Sequence, residues 1–405
     1  MVIRTLALAS ALTLATTAGA SAACAFKNEV PLRSLSAGFQ AWKSVTNAMA
    51  ECGNFKAELD QEFNKKHVEA FSAKPPLYQI GGVATESIVP LLNNGLIRPL
   101  DELVAKYGQN LSPNQLIKID GKVMAIAMMI NTQHLMYRAD ILEQLKIEPP
   151  KTYDEVLAAA EKIKASGLVP YPIGATTRTG WNLAMDFTNL YMGYGGQFFT
   201  ADNKPALKGE AGVKTLEMLK KLSAYMDPEY LTADSTFVQK QFQQSKIALA
   251  NFWASRAGAL DNAAESQVVG KVKVAAAPAA VPGGKPATTV WWDGMVIAKN
   301  ISDAEAEAAF RVMMEGLDKE MVEANNADAV WLVPGYKPTA AAMGAIETMK
   351  LGTPAYPASS RMGLIHTAIG NMVGDYLTGK TTAEQTLAAI EDRYTVAAKE
   401  AGLIK

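Results

Sequence analysis

Short apolar runs alternate with longer amphipathic stretches along most of the chain. An apolar run of about four to eight residues, bounded by turn-forming residues, is typical of a buried strand. Such runs lie at residues 32–36, 78–83, 123–129, 171–174, 247–251 and 272–277. The pattern therefore predicts a strand at each of these positions.

Three amphipathic stretches carry clear signals for the start and the end of a helix. Each begins with a hydroxyl residue followed three positions later by Glu or Gln, the signature of a capping box, and each reaches a glycine at its end. The three sets are Thr152, Glu155 and Gly167; Ser302, Glu305 and Gly316; and Thr382, Gln385 and Gly402. Helices that alternate with strands predict an α/β protein with parallel sheets flanked by helices.

The chain of 405 residues is longer than one hydrophobic core normally supports, so two lobes are expected. In open sheets of this class, ligands bind beyond the carboxyl ends of the strands. Polar and aromatic residues that directly follow the predicted strands are therefore the candidate site residues.

The first residues have the features of a secretory signal peptide. Arg4 is followed by an apolar run at 6–14 and by small residues at 20–22, and the run is too short to span a bilayer. We therefore predict that residues 1–22 are a signal peptide and that the mature protein is exported. Acylation of Cys24 is the alternative, although Ser21 stands where a lipobox prefers a large aliphatic residue.

The chain has two cysteines, Cys24 and Cys52. In an oxidising compartment an isolated pair most simply forms one disulfide, which would tie the mature N-terminus to the first helical region. Two unpaired thiols are the alternative.

Acidic and basic residues nearly balance, with 39 Lys and Arg against 40 Asp and Glu, so the basic excess expected of a nucleic-acid-binding protein is missing. The histidines, His67, His134 and His366, lack partners at metal-ligand spacing, and no catalytic or nucleotide-binding motif occurs. The sequence therefore nominates no metal site, cofactor or catalytic residue. Two carboxylates suffice for a glycosidase, so an exported carbohydrate-active enzyme remains an alternative.

The tryptophans are the informative residues. Trp181 and Trp253 lie just after predicted strands, and Trp291 and Trp292 are adjacent in a strand-like run. Successive side chains of a strand point to opposite faces, so one indole of the pair should face a cleft or an interface. An indole face with polar groups beside it suits a small ligand such as a sugar. Packing in a core is the alternative for each tryptophan taken singly.

Four segments resemble the bacterial extracellular solute-binding proteins of carbohydrate ABC transporters, the group that includes maltose-binding protein. They are MMINTQHLMYR at the first crossover of that family, ALANFWASR with its ligand-stacking tryptophan, TTVWWDGMVIAKN at the second crossover, and AVWLVPGYKP in the loop that follows. The resemblance implies an α/β fold of the two-lobe, type II-like kind, with a ligand cleft between lobes joined by hinge crossovers. Lobe 1 would comprise residues 23–130 and 294–340, and lobe 2 residues 131–293 and 341–405.

The resemblance also implies a function and a set of site residues. The protein would be a periplasmic monomer without cofactor or catalysis that delivers a sugar to the membrane subunits of an ABC permease. The residues expected to line the cleft are Phe39, Gln40, Thr85, Glu86, Asn131, Trp181, Trp253, Trp292, Asp293, Gly294, Tyr356 and Arg361.

The second crossover departs from the family, which usually has small residues where this chain has Trp291-Trp292-Asp293-Gly294. The departure suggests a ligand contact peculiar to this chain. Because Trp292 adjoins Asp293-Gly294, where the backbone turns, we expect Trp292 to stack on the ligand and Trp291 to pack away from the cleft.

Neutral, acidic and oligomeric sugars all remain candidate ligands, and so does a charged solute that is not a sugar. Aromatic rings beside Glu86 and Asp293 would suit a cation. Arg178, Arg256 and Arg361 would suit an anion.

Overall fold

The computed structural model describes residues 24–404, so the predicted signal peptide lies outside the described residues. The strands are β1 (Leu32–Ser36), β2 (Phe55–Leu59), β3 (Ile80–Ala84), β4 (Leu116–Ile119), β5 (Lys122–Asn131), β6 (Gln133–Arg138), β7 (Tyr171–Ile173), β8 (Ile247–Trp253), β9 (Val272–Ala275), β10 (Trp291–Ile297) and β11 (Val330–Trp331). The helices are α1 (Gln40–Glu51), α2 (Phe63–Ser72), α3 (Ile88–Asn93), α4 (Asp101–Tyr107), α5 (Ala139–Gln144), α6 (Tyr153–Ser166), α7 (Trp181–Gly193), α8 (Glu210–Ser223), α9 (Ser235–Gln243), α10 (Asp303–Gly316), α11 (Lys319–Ala324), α12 (Met343–Lys350), α13 (Ser360–Leu377) and α14 (Ala383–Glu400).

The strands form two separate sheets, and each sheet is the centre of one lobe. In the large-sheet lobe the order is β11-β5-β10-β3-β1-β2, with β4 also paired to β5. In the small-sheet lobe the order is β7-β8-β6-β9. Apolar clusters cover both faces of the large sheet, one around Trp42 and Phe310 and the other around Phe71 and Ile88. A third cluster, which includes residues of α6, α7, α8, α13 and α14, surrounds the small sheet.

The chain crosses between the lobes twice, and the two connecting segments lie side by side. Thr132 alone separates β5 of the large sheet from β6 of the small sheet. The chain returns just before β10, and the Thr132 hydroxyl donates to the carbonyl of Thr289 at 2.9 Å. Backbone bonds then tie Val290 to the segment around Tyr356, since Val290 N–H donates to Pro354 and Tyr356 N–H donates to Val290. Thr132 and residues 289–291 therefore lie together where the chain passes between the lobes.

The expectation of parallel sheets is only partly correct. β1 pairs in parallel with β2 and β3, and β7 pairs in parallel with β8. The other ladders are antiparallel, including those of the crossover strands β5, β6 and β10. A strand that brings the chain back from the other lobe enters the sheet in the reverse direction, and this breaks the parallel order.

The predicted helix starts are confirmed at all three N-caps. Thr152 accepts the N–H of Glu155, and Ser302 and Thr382 form complete capping boxes. At α6 the Glu155 carboxylate accepts from Lys151 N–H at 2.6 Å, so that box is only half formed. The predicted disulfide is also confirmed, because Cys24 and Cys52 are bonded to each other. Among residues 24–404, no helix is long and apolar enough to span a bilayer.

Candidate ligand-binding site

An aromatic cluster lies where the two lobes meet. The rings of Trp181 and Trp253 stack with their centroids 6.5 Å apart and their planes at 25°. Trp291 stands edge-on to both rings, and its centroid lies 5.6 Å from that of Trp181 and 6.0 Å from that of Trp253. The centroids of Trp291 and Tyr356 are 4.3 Å apart. Trp181 begins α7, Trp253 ends β8 and Trp291 begins β10, so the cluster joins the ends of elements from both sheets.

Polar atoms hold the cluster in one arrangement. The Trp181 indole N–H donates to Glu86 Oε2 at 2.6 Å, a bond that crosses from the small-sheet lobe to the large-sheet lobe. His366 lies between two members, with Nδ1 2.9 Å from the Tyr356 hydroxyl and Nε2 3.0 Å from the Trp181 carbonyl. Burial lowers the pKa of His366, and burial followed by the nearby Glu86 charge raises that of Tyr356 well above its usual value. A neutral imidazole and a neutral phenol therefore support the rings at neutral pH.

The adjacent tryptophans lie on opposite faces of β10. Trp291, expected to pack away from the cleft, is 4% exposed and packs among Trp181, Trp253 and Tyr356. Trp292 is partly buried on the opposite face, against the large-sheet cluster that includes Val83 and Ile88. Alternation along β10 is as expected, but the face that carries Trp291 meets the small-sheet lobe. A ligand contact by Trp292 stays a prediction.

Two other predicted residues lie at the crossovers. Asn131, the last residue of β5, exchanges hydrogen bonds with Ser255, from Nδ2 to Oγ at 3.2 Å and from the Ser255 N–H to Oδ1 at 3.4 Å. Thr85 follows β3, and its hydroxyl oxygen accepts the Trp292 N–H at 2.9 Å. Asn131 thus joins the lobes beside the aromatic cluster, whereas Thr85 extends the ladder between β3 and β10.

Asp293 and Gly294 are buried within the large-sheet lobe. Asp293 is 7% exposed, and burial raises its pKa to about 7, an effect that the neighbouring Trp42 indole partly offsets. A Cβ at Gly294 would lie 2.4 Å from the Ile126 carbonyl oxygen, so glycine is needed there for the close approach of β5. The irregular register of β10 on β5 falls between these two residues. Packing therefore accounts for Gly294.

The Arg256 side chain faces Phe39 across the boundary between the lobes. Phe39 caps α1 and is partly buried, while Gln40 is exposed at the first helical position. The Arg256 guanidinium lies 5.9 Å from the centre of the Phe39 ring. These residues surround the boundary on the side where β8 ends.

Arg178 forms an ionic link between the lobes on the same side. It reaches Glu62 of the large-sheet lobe at 3.2 Å and Asp234, the N-cap of α9, at 3.3 Å. All three side chains are more than a third exposed, so this link contributes little stability.

Arg361 is not part of this arrangement. Its Nη2 donates to the Leu403 carbonyl at 3.5 Å, at the C-terminal end of the described chain, and a ligand contact by Arg361 stays a prediction. The preceding Ser360 instead faces the other lobe, and its hydroxyl accepts from Asn93 Nδ2 at 2.7 Å. Neighbouring residues on a helix point about 100° apart. Arg361 can therefore point toward Leu403 while Ser360 points toward the other lobe.

Several residues of the boundary were not among the predicted cleft residues, namely Glu62, Ser255, Trp291 and His366. Ser255 follows Trp253 in the same turn, and its position could have been inferred from that. Glu62 and His366 carry no local signal, because other elements of the fold bring them to the site.

In the part of the chain that the structure describes, one grouping of three potential metal ligands occurs, Cys24, Cys52 and Glu315. Its sulfur atoms form the disulfide, so it offers no thiolate to a metal ion.

Comparison with known proteins decides the family. The model of the family described as bacterial extracellular solute-binding protein matches residues 73–314, more than half of the chain. The chain belongs to this family. The match spans both crossovers and the aromatic residues Trp181, Trp253 and Trp291 of this solute-binding protein.

Two curated relatives illustrate the relationship. A probable amino-acid ABC transporter periplasmic-binding protein of Sinorhizobium fredii is 32% identical over 30% of this chain and 28% of its own length. The sn-glycerol-3-phosphate-binding periplasmic protein of Brucella abortus is 28% identical over 34% of this chain and 38% of its own length. The matched stretches thus span only about a third of these curated relatives.

A solved structure extends the likeness to the whole fold. An ABC transporter solute-binding protein from Agrobacterium radiobacter K84, in complex with ribitol, has a TM-score of 0.80 to this solute-binding protein. It is 22% identical, and the likeness covers 93% of this chain and all of the other. At that identity the likeness concerns the fold, which is the two-lobe fold expected from the sequence.

Proposed function

We propose that this protein is the ligand-capturing component of an ABC importer, which holds a sugar or polyol between its lobes in the periplasm and delivers it to a membrane permease. The observation that carries the proposal is the stack of Trp181 on Trp253 at the lobe boundary, with Glu86 bound to the Trp181 indole. In this proposal the protein acts as a monomer, without a cofactor and without turnover of its ligand.

The chemistry of the boundary supports a sugar or polyol. An indole face matches the C–H surface of such a ligand, and nearby carboxylate, amide and hydroxyl groups can bind its hydroxyls. Trp181 and Trp253 supply the faces, and Glu86, Asn131 and Ser255 supply the polar atoms. Ribitol in the Agrobacterium structure and sn-glycerol 3-phosphate in the name of the Brucella relative agree with this class of ligand.

Closure of the lobes would follow from the crossovers. A ligand that binds both lobes favours the closed state because it makes more contacts there. We propose that residues 23–130 and 294–340 move against residues 131–293 and 341–405, with the hinge at Asn131-Thr132 and 289–292. The bond from Trp181 to Glu86 would persist and hold the indole while the ligand lies against its face.

Tryptophan fluorescence and isothermal calorimetry against ribitol, mannitol, maltose, glycerol 3-phosphate and free amino acids would test the proposal. We expect saturable binding of one or more sugars or polyols and a smaller radius of gyration by X-ray scattering with that ligand. Binding of amino acids alone would overturn the sugar assignment. Cleavage of glycosides by the purified protein would show instead that it is a carbohydrate-active enzyme.

A further inference from the structure

Arg256 places a guanidinium at the boundary between the lobes, beside Phe39. It ends the short turn after β8, one residue beyond Ser255 and three beyond Trp253. Its Nη1 donates to the neutral Oε1 of Gln239 at 3.1 Å. Among residues 24–404 no carboxylate lies within salt-bridge distance of it, although Arg178 and Arg138 each have acidic partners.

The acidic groups on this side of the boundary have other partners. Asp234 caps α9 through Oδ1, which accepts the N–H groups of Thr236 and Phe237, and its Oδ2 binds Arg178. Glu62 is shared between Lys65 and Arg178. Neither carboxylate therefore offers Arg256 a close ion pair.

Partial burial of Arg256 makes its positive charge energetically unfavourable. Its side chain is partly buried between α9 and Phe39 of the other lobe. Burial lowers the pKa of the guanidinium, although Asp234 acts in the opposite direction. A guanidinium has five N–H donors in a planar fork that matches a carboxylate or a phosphate. The bond to Gln239 leaves most of that fork available at the lobe boundary.

We infer that Arg256 holds an anionic group of the ligand, so that the solute is a sugar or polyol bearing a carboxylate or a phosphate. The inference rests on the proposed function and narrows it. Trp253 and Trp181 bind the carbon face, and the anionic end lies toward Arg256, beyond Ser255. The negative group then supplies a close counter-charge for the guanidinium.

Pairs of neutral and acidic ligands with the same carbon skeleton test this inference separately from the proposed function. Titrations compare ribitol with ribonate and ribitol 5-phosphate, and glucose with glucuronate and glucose 6-phosphate. We expect at least one acidic member to bind about 10- to 100-fold more tightly than its neutral parent, as charge-assisted bonds imply. Equal or tighter binding of the neutral parents would overturn the inference and leave the proposed function intact. Binding of no sugar or polyol, neutral or acidic, would overturn both.

Two variants test the residue itself. Arg256→Gln should reduce the preference for the acidic ligand to about threefold or less, while Arg256→Lys should keep part of it, because Lys retains the charge without the fork. Arg311→Gln removes the same charge at a residue of α10 that lies over the Phe26 ring and should keep the full preference. Thermal melts of the variants show that each is folded. An unchanged preference in Arg256→Gln, or an equal loss in Arg311→Gln, would contradict the assignment.

Discussion

The indole N–H of Trp181 and the carboxylate of Glu86 form a 2.6 Å hydrogen bond across the boundary between the two lobes. Trp181 starts α7 beside the small sheet, and Glu86 follows β3 of the large sheet. The bond orients the indole so that one face stays on Trp253. It therefore ties the position of this aromatic surface to the contact between the lobes.

Trp181 and Trp291 should respond differently to truncation. Trp181 is partly exposed at the boundary, so Trp181→Ala should weaken ligand binding by about 2–4 kcal/mol with little change in melting temperature. Trp291 is buried among Trp253, Tyr356 and Trp181, so Trp291→Ala should lower the free energy of unfolding by about 3–5 kcal/mol. Calorimetric titration and thermal melts measure the two effects. A melting temperature lowered as much by Trp181→Ala as by Trp291→Ala would mean that both rings are structural.

Glu86 and Glu62 form a matched pair of interlobe carboxylates. Glu86→Gln should reduce ligand affinity by about tenfold, because the charge-assisted bond from Trp181 becomes a weaker bond to a neutral amide oxygen beside the aromatic surface. Glu62→Gln should change affinity by about threefold or less, since Glu62 and Arg178 are 41% and 43% exposed and solvent screens them. Titrations at one ionic strength compare the variants. A larger loss of affinity in Glu62→Gln than in Glu86→Gln would place the ligand near Arg178 instead.

Asp186 should make stability depend on pH. It lines a cavity of about 30 Å³ inside the small-sheet lobe, with Tyr153, Gln133 and Asn251. Burial raises its pKa from 3.8 to about 7, and weak bonds from Gln133 and Thr176 offset this only in part. Between pH 4 and 7 the folded protein therefore keeps a proton that the unfolded chain has released, so the free energy of unfolding falls as pH rises through this window.

The variant Asp186→Asn keeps an acceptor for Gln133 and cannot ionise. We expect it to match the wild type near pH 4 and to be more stable by about 2–4 kcal/mol at pH 8. Asp293 has a similarly raised pKa in both proteins, so the difference between them isolates Asp186. Urea unfolding at the two pH values gives the result. A difference that does not grow with pH would show that Asp186 ionises freely in the folded state.

The disulfide should stabilise the large-sheet lobe. Cys24 and Cys52 are 28 residues apart, and closing a loop of that length in the unfolded chain contributes about 3–4 kcal/mol on the chain-entropy model. The double variant Cys24→Ser and Cys52→Ser should therefore melt at a lower temperature while its ligand affinity stays unchanged. Thiol labelling of denatured, unreduced wild-type protein checks the bond directly. Two labelled thiols would contradict it.

Local sequence determined the parts of this protein that depend on neighbouring residues. The capping residues Ser302 and Thr382 mark helix starts because they bond within one turn. The apolar run at 32–36 coincides with β1, and alternation correctly separated the faces of Trp291 and Trp292. The order of segments also indicated the family and hence the two lobes.

Tertiary structure decided what those elements face. Alternation cannot say which side of β10 meets the other lobe, and the packing of Trp291 against Tyr356 settles that side. Glu62, Glu86 and Arg178 come from distant segments, and only the approach of the lobes brings them to one boundary. Arg361 lies beside Ser360 in sequence but turns toward Leu403, since each helical step rotates a side chain by about 100°. Contacts within a turn are encoded locally, whereas a cleft between lobes depends on how whole sheets are placed, which a short segment does not specify.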